Sequence, residues 1–216
     1  GHDASINIMR RILQSLGPEV IHLGHNRSVD EIVNAALQED AHAIAVTSYQ
    51  GGHNEFFRYM LDQLRARDAA HVRVFGGGGG VIVPAEIREL MAYGVTRLYS
   101  PADGAAMGLQ GMIADLMQSA DFDICRHAPT ADELLGQLQS GNRRALSGAI
   151  SAIEQGRYDA ATLDALRAAA AQRPTPRLGI TGTGGAGKSS LTDELILRLR
   201  QDQADQPDIA VISIDP

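Results

Sequence analysis

The chain is poor in several things, and each shortage narrows what it can be. It has one cysteine, Cys125, in 216 residues. A disulfide framework within the chain is therefore impossible, which favours a reducing compartment. Aromatic residues make up 4% and tryptophan is missing, while glycine reaches 23 residues. That balance suits an α/β protein with tight turns near ligands better than an all-β sandwich. No apolar run approaches the roughly 18 residues of a membrane span, and no signal peptide opens the sequence. Clustered Lys and Arg are lacking too: the net charge is −7, with no basic stripe to meet a phosphate backbone. These absences predict a cytoplasmic protein with neither nucleic acid nor membrane as partner. Present instead is 44% hydrophobic content, enough for one large or two small domains.

The first ~118 residues alternate two periodicities. Ile8, Met9, Ile12, Leu13 and Leu16 share a helical face that stops at Gly17-Pro18. Glu19 to Leu23 reads as a strand. Ser28 and Glu31 form a capping-box pattern ahead of Ile32, Val33, Ala36 and Leu37. Ala41 to Ser48 reads as a buried strand, and Phe56, Phe57, Met60, Leu61 and Leu64 as the next helix. Val72 to Phe75 is a strand running into five glycines. Pro84 suits a helix start, Val95 to Tyr99 is the last strand, and a helix from about Asp103 to Met117 follows. Such alternation implies a parallel, doubly wound sheet whose ligands sit beyond the strands' carboxyl ends. The polar and Gly-rich stretches fall at those ends: 22–26, 47–53, 76–80 and 100–104. The expected division is a ligand-binding domain over 1–118, a linker and helical arm over 119–173, and the start of a nucleotide-binding domain over 174–216. Both ends read as cut, so the chain is expected to be a segment of a longer protein.

The firmest local motif is Gly182-Thr183-Gly184-Gly185-Ala186-Gly187-Lys188-Ser189, which matches G-x-x-x-x-G-K-[ST] without departure. Arg177 to Ile180 is the expected strand before it. Leu191, Leu195 and Leu199 mark the core face of the expected helix after it. Glycines let successive N–H groups point at phosphate oxygens at a helix N-terminus. Gly182, Gly185, Ala186, Gly187, Lys188, Ser189 and Ser190 are the expected phosphate contacts. Lys188 would bridge the β- and γ-phosphates as the catalytic cation, and Ser189 would hold Mg²⁺. Ile209 to Ile214 reads as a second strand ending in Asp215, a candidate second Mg²⁺ ligand.

A lone histidine is usually structural, but His2 would stand just before the first helix, at a strand's carboxyl end. Gly1-His2-Asp3-Ala4-Ser5 resembles the end of the D-x-H-x-x-G signature of cobalamin-binding domains in coenzyme B12-dependent acyl-CoA mutases. Val46-Thr47-Ser48-Tyr49 with Gly51-Gly52-His53 resembles their S-x-L segment and its trailing G-H. Gly79-Gly80-Val81-Ile82 before Pro84 is similar to their G-G-x-I-P segment. The signature Asp is absent from the chain, Ser5 stands for the final Gly, and Thr47 and Tyr49 stand for Ser and Leu. The resemblance implies a flavodoxin-like fold. It also implies His2 as the lower cobalt ligand, with the displaced nucleotide tail passing Thr47 and Ser48 along Gly79-Gly80. Asp3 joins these as a cofactor-site position, although on its own it reads as a solvated helix-start residue. His22, His25, His42, His53 and His71 read as ordinary residues, His53 being the least settled.

Gly141-Asn142-Arg143-Arg144-Ala145-Leu146 and Val211-Ile212-Ser213-Ile214-Asp215-Pro216 resemble segments of the G-protein chaperones of B12-dependent mutases. A cobalamin domain followed by this chaperone is similar to the fused isobutyryl-CoA mutases. That resemblance implies adenosylcobalamin, GTP and Mg²⁺ as cofactors. It implies a radical 1,2-rearrangement of an acyl-CoA (isobutyryl-CoA to n-butyryl-CoA), the acyl-CoA being held by a barrel domain this chain lacks. GTP hydrolysis would gate cofactor loading and protection. A homodimeric full-length form and an adenosyltransferase as cofactor donor go with it, and the segment alone is expected to be inactive as a mutase. Two readings compete: a non-catalytic cobalamin-binding regulator coupled to an NTPase, and a flavodoxin-like or response-regulator-like domain joined to a P-loop kinase.

Overall fold

In the computed structural model, residues 2–47, 51–77, 80–204 and 208–214 are described, with side chains from residue 6 onward. The described chain divides into two compact units, 1–169 and 170–216.

The first unit is α/β. Helix α1 (His2–Ser15) is followed by irregular chain and then by α2 (Val29–Gln38), β1 (Ala43–Thr47), α3 (His53–Ala66), β2 (Arg73–Gly77), α4 (Pro84–Tyr93), β3 (Arg97–Tyr99) and α5 (Pro101–Ala120). The three strands are parallel in the order β1-β2-β3. Parallel strands need helical crossovers, and the helices between them supply these. Val74 and Phe75 are adjacent on β2, so their side chains take opposite faces. Both are almost wholly buried, so helices cover both faces of the central strand. On one side α2, α3 and α4 pack in series, and elsewhere α1 packs on α5. The main core joins Val33, Phe57, Met60, Leu64, Val74, Leu90 and Leu98.

Local chemistry explains the starts of these helices. Ser28 caps α2 through the Glu31 N–H at 3.2 Å, and Glu31 accepts from the Ser28 N–H at 2.8 Å. Ser100 and Asp103 repeat the device at α5, where Arg97 also pairs with Asp103 at 2.9 Å. At α4, Val83 has no side-chain acceptor, so only the return bond forms, from the Val83 N–H to Glu86 at 3.0 Å. Helix α5 is broken at Gly108, whose φ of 64° and ψ of 176° leave the helical region.

A 3₁₀ turn (Ile124–His127), α6 (Ala131–Gln139), α7 (Arg143–Glu154) and α8 (Ala160–Ala171) follow. Helix α7 packs on α2 and on the 3₁₀ turn. The buried Ser147 hydroxyl donates to the Leu37 carbonyl at 2.5 Å. His71, Phe122 and His127 meet at this junction, the two imidazoles stacked 4.2 Å apart. Burial first, then the charges of His127, Arg144, His42 and Arg73, push the His71 pKa down to about 4.

The second unit contains α9 (Lys188–Asp202) and irregular chain. Three expected strands are not strands: Glu19 to Leu23, Arg177 to Ile180, and the described part of Ile209 to Ile214. A strand is stable only when a neighbour takes its N–H and C=O groups, and an isolated pair is marginal. The expectation of a buried strand at 41–48 also needs correction. Ala45 and Thr47 are exposed, because β1 is the edge of the sheet. In the second unit the expected core face of α9 is only partly covered: Leu191 and Leu199 are about half exposed, whereas Leu195 is partly buried.

Candidate functional site

The carboxyl ends of the three strands converge as the alternation predicts. The last residue of β1, Thr47, lies in register with Gly77, the last of β2, and Gly77 with Tyr99 of β3. Thr47 is exposed. Gly80 has φ of 91°, and a Cβ there would come 3.6 Å from Pro101, the first residue of α5. The segment after β2 therefore passes the start of α5 in a conformation that favours glycine. Ser48 and Gly79 lie outside the described residues. His2 opens α1 instead of preceding it, and Asp3 lies at the helix start.

Gly52 caps α3 in a left-handed conformation, φ 88°. Behind it stands a polar cluster. His53, only 7% exposed, places Nε2 3.0 Å from Oε2 of Glu86. Asn54 donates from Nδ2 to Oε1 of Glu86 at 3.1 Å. Glu86 thus receives the Val83 N–H, the His53 ring and the Asn54 amide. The Val83 N–H first, then the His53 bond, hold its carboxyl below the ordinary carboxylate range. The cluster ties the starts of α3 and α4 together, at the same edge of the sheet as Thr47 and Gly80. Sequence reasoning did not join these residues. The signals were the Gly52-His53 pair and a Glu two residues after Pro84, but nothing local links them.

In the second unit the loop of the phosphate motif runs directly into α9, although the strand expected before it is not formed. Gly185 and Gly187 have φ of 76° and 79°, conformations that side chains rarely adopt. Gly187 caps α9, which begins at Lys188. The Lys188 ammonium folds back over the loop and donates to the carbonyls of Gly182 at 2.9 Å and Thr183 at 2.8 Å. The Ala186 N–H donates to the Thr183 carbonyl at 3.3 Å. A Cβ on Gly182 would make ordinary contact with Ala186 and Lys188 at 3.6 to 3.7 Å, so the loop folds back beside its own helix start. Ser189 and Ser190 occupy the first turn of α9 and are exposed. A cation enclosed by a glycine loop at a helix N-terminus fits an anionic phosphate. Asp215 lies outside the described residues.

Two cavities of about 160 and 410 Å³ lie elsewhere. The first is bounded by Leu61, Leu64, Arg65 and Thr96, and the second by Cys125, Arg157, Tyr158 and Asp159. Neither includes a residue of the strand-end site or the phosphate loop. No helix among the described residues is long and apolar enough to cross a membrane.

Comparison with known proteins finds relatives of both regions of the chain. Residues 1–109 match the B12 binding domain family, and residues 146–216 match the methylmalonyl-CoA mutase-associated GTPase MeaB. The chain is 64% identical over all its 216 residues to the fused isobutyryl-CoA mutase of Cupriavidus metallidurans. It is 56% identical over the same span to the fused isobutyryl-CoA mutase of Nocardia farcinica. In each case it spans 20% of the relative's length. Over 118 residues, 53% of this chain, it is 29% identical to the 2-hydroxyisobutanoyl-CoA mutase small subunit of Aquincola tertiaricarbonis, covering 85% of that subunit.

Proposed function

The chain belongs to the B12 binding domain family, and from that premise we propose that it supplies the cobalamin site and the phosphate loop of a fused acyl-CoA mutase. The observation that carries this reading is the unbroken 64% identity to a fused isobutyryl-CoA mutase across both regions of the chain. The reaction is the isomerisation of isobutyryl-CoA to n-butyryl-CoA in the full-length protein, with the acyl-CoA bound outside these 216 residues. When bound, adenosylcobalamin supplies radical chemistry by homolysis of its Co–C bond.

The chain's own residues take the following roles in this reading. His2, at the start of α1, would ligate the cobalt, with Asp3 next to it in sequence. Thr47, in register with Gly77, and Gly80, beside Pro101, would flank the nucleotide tail, and Ser48 and Gly79 join them as positions of the same sequence motifs. Glycine at these positions lets backbone approach a large ligand. Lys188, whose ammonium donates to the loop carbonyls of Gly182 and Thr183, would turn its charge to the β- and γ-phosphates of GTP. Gly182, Gly185, Ala186, Gly187 and Ser190 line the phosphates, and Ser189 and Asp215 hold Mg²⁺. The division into 1–118, 119–173 and 174–216, a homodimeric full-length protein, an adenosyltransferase as cofactor donor and a cytoplasmic location belong to the same proposal.

The test is the absorbance of the full chain titrated with hydroxocobalamin. Histidine ligation shifts the corrinoid spectrum, and His2→Ala removes the shift. A native chain that leaves the spectrum unchanged refutes the reading.

A further inference from the structure

His53 and Asn54 share an unusual condition. A carboxylate can only accept hydrogen bonds, so the Glu86 contacts fix both orientations: His53 donates from Nε2 and Asn54 from its amide nitrogen. In an imidazole that donates from Nε2 and carries no second proton, Nδ1 holds a lone pair and is an acceptor. Oδ1 of Asn54 is likewise an acceptor. Both atoms are buried, and neither has a partner among the described residues. His53 itself is 93% buried, the complement of its 7% exposure. Buried acceptors without donors are uncommon because each loses its water on folding. Here two occur on consecutive residues, at the first turn of α3, and one carboxylate holds both side chains in place.

We propose that His53 Nδ1 and Asn54 Oδ1 form a paired acceptor site for a neutral N–H or O–H donor group of the bound corrinoid, with Glu86 as the residue that positions both. This rests on the cobalamin reading above. Three features support it. The pair lies at the carboxyl edge of the sheet, where ligands of such folds bind. Glu86 takes three donors from the starts of α3 and α4, so it is chiefly a support that fixes both side chains. Gly52, immediately before, has nothing within 4 Å of where a Cβ would stand, so the backbone there is open. A corrinoid carries two sources of such donors: the amide side chains of the ring, and the hydroxyl of the ribose in the nucleotide tail.

The experiment titrates the full chain with hydroxocobalamin and, separately, with cobinamide, which has the ring amides but no nucleotide tail. His53→Ala and Asn54→Ala are each expected to weaken hydroxocobalamin binding roughly 3- to 10-fold, the worth of one hydrogen bond. The spectrum at saturation stays native, because His2 is intact. His53→Gln, which keeps a donor and an acceptor, recovers most of the affinity. Weakening of both ligands assigns the site to ring amides, and weakening of hydroxocobalamin alone assigns it to the tail. Asn54 is only half-buried, so Asn54→Ala keeps the test open if His53→Ala does not fold. Native affinity for both ligands in Asn54→Ala and in a folded His53→Ala overturns the proposal. A native chain whose spectrum does not shift overturns instead the cobalamin reading on which it rests.

Discussion

Gly76→Ala tests the packing that aligns the strand ends. Gly76 sits inside β2, paired with Val46 on one side and Leu98 on the other. Its backbone needs no special conformation, so the reason for glycine is space. A Cβ built there lies 2.5 Å from Cζ of Phe57 and 2.6 Å from Cδ2 of Leu98. Carbon atoms rest at about 3.5–4.0 Å, so each neighbour must retreat by roughly 1 Å. Neither has room: Phe57 is 0% exposed and Leu98 2%. Overpacking of this kind costs about 1–3 kcal/mol, and two blocked neighbours place Gly76→Ala in the upper half of that range. Alanine restricts the unfolded chain, which offsets about 0.4–1 kcal/mol. The net loss is about 1–2.5 kcal/mol, or about 3–8 °C in Tm for a unit of this size. Tyrosine near-ultraviolet dichroism is a suitable probe, because Tyr49, Tyr59, Tyr93, Tyr99 and Tyr158 all lie in the first unit. Gly77→Ala is the control: its nearest neighbour would be the Tyr99 carbonyl at 3.4 Å, an ordinary contact, and its change should stay within about 0.5 kcal/mol. Phe57→Leu combined with Gly76→Ala should show favourable coupling of about 1 kcal/mol. Equal melting of Gly76→Ala and the parent, or no coupling, would refute the argument.

Three further predictions follow from other parts of the molecule. Lys188→Ala removes the cation that the loop encloses, and it should weaken Mg²⁺–GTP binding by about 10-fold or more; fluorescent-nucleotide titration giving parental affinity would rule this out. His71 has a folded pKa of about 4 against an ordinary 6.5. The unfolded chain therefore takes up a proton first, and stability falls as pH drops from 6.5 towards 4. Above that window the group contributes nothing. Glu31, Glu86 and Glu133, lowered from 4.5, and Asp103 and Asp159, lowered from 3.8, begin to act only at the acidic end of that window, so the His71 contribution is read between 6.5 and about 5. Urea midpoints measured across this range should decline less steeply in His71→Gln, and parallel slopes would contradict the assignment. Ser147→Ala deletes the buried bond from α7 to the Leu37 carbonyl and should cost about 1–2 kcal/mol, read as a lower urea midpoint; an unchanged midpoint would mean that α7 is held by apolar packing alone.

Much of this protein was legible one segment at a time. The Ser28–Glu31 capping box, Pro84 at the start of α4 and the 3.6-residue spacing of Phe57, Met60, Leu61 and Leu64 are local signals, and each element formed where they point. The phosphate loop was legible for the same reason: its glycines, Lys188 and the helix behind it are contiguous, so the motif carries its own geometry. The order of the two regions, and the family of each, were likewise written in linear motifs. What tertiary structure decided depends on partners distant in sequence. Glu19 to Leu23 and Arg177 to Ile180 have strand-like composition but take no ladder, because a strand exists only through its neighbour. Gly76 looked like one of five equivalent glycines until Phe57 and Leu98 closed on it. The Ser147–Leu37 bond spans 110 residues, and the His53–Glu86 pair spans 33. The sequence alone made His53 a trailing residue of a motif. Only folding, by bringing the first turns of α3 and α4 together, turned it into an anchored, half-satisfied imidazole at the edge where the cofactor is expected.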